Sequence, residues 1–167
     1  MRRSLAFRSA PPVTVWWEAI PRRDILAEAQ RALPNETGGV LLGWSTDSDI
    51  VITHAVGPGA RAEHQPTRFL PDRDWQADEI ARLYEESGRT IEYLGDWHTH
   101  PGGDPYPSAL DSAALRRIAL DEAARCPRPI MGILGNIGEG PLSAVFHVYN
   151  GRSLCRPSSR AARLRLI

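Results

Sequence analysis

Apolar positions along the chain fall into short dense runs and helical spacings that alternate, and the alternation predicts an α/β order. Val13-Thr14-Val15-Trp16-Trp17 is β-branched and aromatic, the composition of a first strand. Pro21 opens a stretch in which Ile25, Leu26, Ala29, Ala32 and Leu33 share one helical face, and Pro34 closes it. Residues 39–44 and 50–56 are apolar runs separated by Ser45-Thr46-Asp47-Ser48-Asp49, the pattern of a hairpin. Residues 57–71 have no period and predict a long surface loop. Residues 72–86 carry Trp75, Ile80, Leu83 and Tyr84 at helical spacing, ended by Gly88. A strand over 91–97, a Pro/Gly-rich loop over 101–107, a long helix over 108–125 and strands over 130–134 and 143–149 complete the series. The expectation is a single α/β domain over residues 1–167, a mixed β-sheet flanked by helices, with 1–12 and 156–167 peripheral.

Composition narrows this picture little. A 42% hydrophobic fraction with 24% charged residues is ordinary for a globular chain of 167 residues, which can bury a core without disulfide staples. Cys126 and Cys155 form no C-x-x-C frame, which fits reduced thiols. No run approaches the roughly 18 apolar residues of a membrane helix, and no apolar run follows the basic N-terminus as in a secretory signal. A cytoplasmic protein without a membrane partner is expected. Twenty basic and twenty acidic residues cancel, so there is no global field to draw nucleic acid. After Glu139 the charges are all basic, through Arg152, Arg156, Arg160, Arg163 and Arg165. That stretch reads as a solvated surface segment, with a basic partner-binding tail as the alternative.

The chemistry is concentrated between Gly95 and Asp111. His98 and His100 stand two apart at the end of a predicted strand, so both imidazoles project to one face. Two such rings can reach one Zn²⁺ at about 2.0–2.1 Å. Asp111, in the first turn of the following helix, can supply a third ligand, leaving an open fourth position as in catalytic zinc sites. Each part has an ordinary reading as well. His-x-His also occurs as a surface or core pair, and Ser108-Ala109-Leu110-Asp111 also reads as a helix cap.

His98-Thr99-His100-Pro101, six further residues and then Ser108-Ala109-Leu110-Asp111 together resemble the signature of the JAMM metalloproteases, also called JAB or MPN domains. Glu36-Thr37-Gly38-Gly39-Val40-Leu41-Leu42-Gly43 resembles the upstream glutamate element in its prokaryotic form. The resemblance implies a JAB/MPN domain of cytidine-deaminase-like architecture, with the metal site at a sheet edge. It implies His98, His100 and Asp111 as ligands of one Zn²⁺ per chain, and Glu36 as the general base. Ser108 would place its hydroxyl against the oxyanion. It further implies hydrolysis of the bond after the C-terminal glycine of a ubiquitin-like protein, by deconjugation or by precursor processing. The short Glu-Thr-Gly-Gly form is similar to the JAB peptidases of bacterial antiphage operons, including CBASS. Processing of a sulfur-carrier precursor, the RadC branch and a non-catalytic MPN scaffold stand beside it as alternatives.

Other residues carry weaker expectations. His54, His64 and His147 stand at no metal spacing from the motif, and His147 is expected in the last strand with one face in the core. Arg68 and Phe69, in the loop after the hairpin, are candidates to receive the substrate tail, though the loop also reads as a plain connector. Tyr106, beside the motif, is a candidate wall for a channel that accepts glycines.

Overall fold

A computed structural model describes residues 13–137, 143–149, 151 and 159–167. The elements run β1 (Thr14–Trp17), α1 (Ala19–Ala32), β2 (Gly38–Ser45), β3 (Asp49–Val56), β4 (Glu63–Gln65), β5 (Arg68–Leu70) and α2 (Arg73–Glu86). They continue β6 (Glu92–His100), α3 (Ala109–Leu120), a 3₁₀ turn (Glu122–Ala124), β7 (Ile130–Gly135), β8 (Ser143–Tyr149), β9 (Ser159–Ala161) and β10 (Arg163–Leu166). Eight strands form one sheet in the order β10-β1-β3-β2-β6-β7-β8-β9. Pairings β1/β10, β1/β3 and β6/β7 are parallel and the rest antiparallel, so the expected mixed sheet is present.

Three departures from the sequence expectation stand out. Residues 57–71 are not wholly irregular: β4 and β5 pair as a separate two-stranded hairpin, with His64 opposite Phe69. The helix expected over 108–125 stops at Leu120, where Asp121 leaves the helical conformation and its side chain instead accepts from the Ala123 amide, capping the 3₁₀ turn. The described part of the basic C-terminal segment is not peripheral. β9 pairs with β8 while β10 pairs with β1, with Ala162 alone between them. Ala162 N–H donates to the Phe146 carbonyl and Arg163 N–H to that of Val13. The two ends of the sheet are thereby joined, and Trp17 meets Phe146 edge-on at 5.2 Å between ring centroids. Arg160, Arg163 and Arg165 point outward while Leu164 packs on the core, the alternation of a half-buried strand. Residues 1–12, Arg152, Cys155, Arg156 and the rest of 152–158 lie outside the described residues.

Both sheet faces are covered, which is why β2 is a nearly continuous apolar run. One face packs under α1: Ile25 and Ala29 meet Trp17, Leu41, Ile52, Leu94, Trp97 and Leu134. On the other, Ile80 and Leu83 of α2 pack on Val40, Leu42 and Val56, while Leu115 of α3 packs on Met131 and Ile133. Trp75 and Tyr84, although at helical spacing, lie on the exposed side of α2. Since α2 sits over β2 and β3 and α3 over β7, the outward face of β6 opens between them.

A bulge sets which β6 side chains reach that opening. The β2/β6 register shifts between Leu41 and Leu42, with Gly95 at φ +142°, where a Cβ would strike the Ile130 carbonyl. Leu94 and Trp97, three apart, consequently share the core under α1. Beyond the bulge the ordinary alternation puts His98 and His100 together on the other face. The glycines of β2 answer to close approach as well. A Cβ at Gly39 would enter between Trp97 Nε1 and the Val56 carbonyl oxygen to which it donates at 3.2 Å. Gly39→Ala is expected to destabilise the protein by about 2–4 kcal/mol, through backbone displacement and that lost bond. A lower urea midpoint at unchanged m-value is the readout.

Candidate metal centre and active site

His98 and His100 occupy the C-terminal end of β6, a central strand flanked by β2 and β7. The site lies at the edge of the sheet that the ends of its central strands form, where loops from both sides can supply further groups. The loop after His100 folds back on it. Gly103 N–H donates to the His100 carbonyl at 3.0 Å, and Asn136 N–H to the Gly103 carbonyl at 3.1 Å. The His100 ring donates from Nδ1 to the Asp104 carbonyl at 3.1 Å, so that in the neutral ring Nε2, on the Asp111 side, is the nitrogen with the free lone pair. His147, buried on β8 as expected, donates from Nε2 to the Pro105 carbonyl at 3.2 Å and holds the next peptide of that loop. Burial pushes the His147 pKa down, against the hydrogen bond to Pro105.

Asp111 arrives from α3 through a formed capping box. Ser108 Oγ accepts from Asp111 N–H at 3.2 Å, and Asp111 Oδ2 accepts from Ser108 N–H at 2.7 Å. The cap and the candidate ligand role coexist: the same box that starts the helix orients the carboxylate. Asp111 Oδ1 lies 3.4 Å from His98 Nε2 and Oδ2 3.6 Å from His100 Nε2, with the two ring nitrogens 3.0 Å apart. Ligands at about 2.0–2.1 Å around a tetrahedral ion stand about 3.3 Å from one another. Two imidazoles and a carboxylate at these separations, half-buried, fit one small divalent cation. Among the described residues this is the one such group of three. Burial pushes the Asp111 carboxyl up, but hydrogen bonds from His100 and His98 outweigh it and hold the group below the usual carboxylate range. The Asp111 carboxylate in turn raises the His100 pKa, against burial.

This pair gives a pH dependence of definite sign. A raised His100 pKa stabilises the metal-free fold below the ordinary value of 6.5, and that contribution is lost as pH rises through the folded-state value. A metal ion requires the neutral ring, so its binding strengthens in the same direction. The difference in melting temperature between metal-loaded and metal-stripped protein is expected to widen from about pH 6 to about pH 8. Thermal scans of both forms across this range check it.

Glu36 lies two residues before β2 begins. Gly38 stands opposite His98 in the antiparallel register, which brings Glu36 level with His100. Thr37, fully buried, fixes this approach: its N–H donates to Thr99 Oγ1 at 3.0 Å, its carbonyl accepts from Thr99 N–H at 2.9 Å, and its hydroxyl donates to Glu28 of α1 at 2.9 Å. Gly38 admits Phe69, whose ring edge a Cβ would strike, next to the Trp97 carbonyl. Burial raises the Glu36 pKa, offset in part by the charges of His100 and His98. A raised carboxyl pKa lies closer to the working pH of a proton-transfer group. Phe69 and Arg68 fall on β5, Phe69 against the His64 ring at 5.4 Å and Arg68 exposed. Tyr106 is exposed on the loop beside the site, 6.4 Å from the His147 ring. Thr37, His64 and His147 escaped the sequence reading as functional positions because their partners Thr99, Glu36 and Pro105 are distant in the chain.

Two histidines and an aspartate that could hold a metal ion, converging at the end of a central strand beside a half-buried glutamate, are the donor set of a metal-dependent hydrolase. The chain belongs to the prokaryotic homologs of the JAB domain, whose family model matches residues 20–149. It is 37% identical over 143 residues to a probable metalloprotease of Sinorhizobium fredii, covering 84% of this chain and 85% of that protein. It is 32% identical over 125 residues to a CD-NTase/cGAS isopeptidase of Enterobacter hormaechei, covering 72% of this chain and 66% of that one. A CD-NTase/cGAS isopeptidase of Pseudomonas aeruginosa is 35% identical over 102 residues, covering 59% and 61%. The chain thus spans about three fifths to two thirds of these two isopeptidases. The solution structure of a Desulfitobacterium hafniense protein shares the fold, with a TM-score of 0.67 over 92% of each chain at 21% identity. The protein is a JAMM-type metallopeptidase, a peptidase or isopeptidase that works with a metal ion on a protein substrate. No helix among the described residues is long and apolar enough to cross a membrane.

Proposed function

We propose that this protein is a zinc isopeptidase, one Zn²⁺ per chain, cutting after the C-terminal glycine of a ubiquitin-like protein within a cytoplasmic antiphage conjugation system. The convergence of His98 Nε2, His100 Nε2 and the Asp111 carboxylate carries the reading, and the names of the related CD-NTase/cGAS isopeptidases support its context. Bound there, Zn²⁺ would act as a Lewis acid and bring the pKa of water towards roughly 7. Glu36 takes the proton of the attacking water on its carboxylate and returns it to the nitrogen of the leaving amine. Ser108 accepts from Asp111 N–H through its oxygen, so its own O–H remains to donate to the oxyanion that develops on the scissile carbonyl. Arg68, Phe69 and Tyr106 would border the approach of the tail, where a chain without side chains passes most easily.

The test is metal content together with cleavage of a ubiquitin-like domain joined through its Gly-Gly terminus to a reporter domain. One zinc per chain and a product ending at the second glycine are expected. Cutting at unrelated positions would refute the substrate class, and a protein active with a metal other than zinc would refute the assignment of the ion.

A further inference from the structure

Glu36 belongs to the link between α1 and β2, and its main chain is held by neither. Its N–H donates to the Gln65 carbonyl at 2.9 Å, and its own carbonyl faces His64 Nδ1 at 2.9 Å. A carbonyl only accepts, so the ring must carry its proton on Nδ1. Both partners come from β4, one arm of a hairpin whose strands are three residues long and which is separate from the main sheet. So small a hairpin has little stability of its own. Its neck is nonetheless tied to α2: Arg61 grips Asp72 at 2.9 and 3.1 Å, Asp72 caps that helix, and its N–H donates to the Pro58 carbonyl at 2.9 Å. Midway along the hairpin, Phe69 lies between the His64 ring and the backbone at Gly38. The hairpin is thus fixed at its neck by α2, and its inner arm supports Glu36.

We propose that His64 is a positioning residue for Glu36: its Nδ1–H pins the Glu36 peptide to the β4–β5 hairpin and sets where the carboxylate stands relative to His98 and His100. The inference rests on the reading of Glu36 as proton carrier. It adds that the placement of Glu36 depends on a side chain outside the metal site and outside the family motif. Misplacement of a reacting group by about 1 Å can cost about a hundredfold in rate.

The substitutions His64→Asn and His64→Gln separate this role from simple packing, because an Asn amide nitrogen falls where Nδ1 does and a Gln amide reaches past it. Amide hydrogen exchange reports the pinning through the neighbouring bond, from the Glu36 N–H to the Gln65 carbonyl. The Glu36 N–H is expected to exchange about tenfold faster in His64→Ala and His64→Gln than in wild type or His64→Asn, while the Leu41 amide in the sheet is unchanged. With the Gly-Gly-linked fusion as substrate, kcat is expected to fall ten- to a hundredfold in His64→Ala and His64→Gln at unchanged KM and metal content, and to return in His64→Asn. Wild-type exchange at Glu36 in His64→Ala, a defect confined to KM, or His64→Asn behaving like His64→Gln would each overturn the role. Should His64→Ala melt early, the Asn and Gln variants, compared where both are folded, decide the matter. Glu36→Gln is the control. If it keeps full activity, the reading of Glu36 has failed, whereas its inactivity beside a normal His64→Ala enzyme would sink only the inference about His64.

Discussion

Glu36→Gln is expected to keep its metal and lose at least about 10²–10⁴-fold in kcat, the span general acid–base catalysis commonly supplies. The substitution preserves shape and main-chain bonding, so the Gln65 and His64 contacts to residue 36 survive. What it removes is a carboxylate able to accept and return a proton, in a pocket where burial has already raised its pKa. The three donor atoms of the metal site lie elsewhere, on His98, His100 and Asp111, so metal per chain is expected to match wild type. Steady-state kinetics beside elemental analysis checks both halves. Near-normal turnover would mean that another group carries the proton.

Removing the metal site itself has the larger effect. His98→Ala is expected to abolish metal binding and turnover together, because two remaining ligands cannot close a tetrahedral set. The metal-free fold should be left almost intact. Asp111→Ala is expected to differ in stability. It also removes one side of the capping box at the start of α3, worth about 1 kcal/mol, and the metal-free variant should melt below metal-free His98→Ala. Equal melting of the two would show that the Asp111 side of the box contributes nothing to the helix. Metal retained in His98→Ala would show that the ion sits on other donors.

The two halves of the site were unequally legible in the sequence. His98 and His100 could be placed on one face because strand alternation requires it, and Asp111 because a capping pattern fixes the first turn of a helix. Glu36 could be located only through its resemblance to a family element. Its position depends on Thr99, Gln65 and His64, none of them near it in sequence. The β4–β5 hairpin was invisible because its strands are short, exposed and of mixed polarity, so no alternation against a core marks them. Leu94 would have been placed on the wrong face by simple alternation, since the bulge at Gly95 reverses the phase of β6. Arg163-Leu164-Arg165-Leu166 does alternate, but charge masked it, and the strand exists because β1 offers it an edge.

That last pairing bears on how the molecule assembles. Residue 14 meets residue 163 across the sheet's closing seam, whereas His98, His100 and Asp111 lie within one short stretch of chain. Contacts between distant segments must first overcome the entropy of a long loop, and they form late. During refolding, the strand end and the helix start that bear the three metal donors are therefore expected to meet while the two outer strands are still apart.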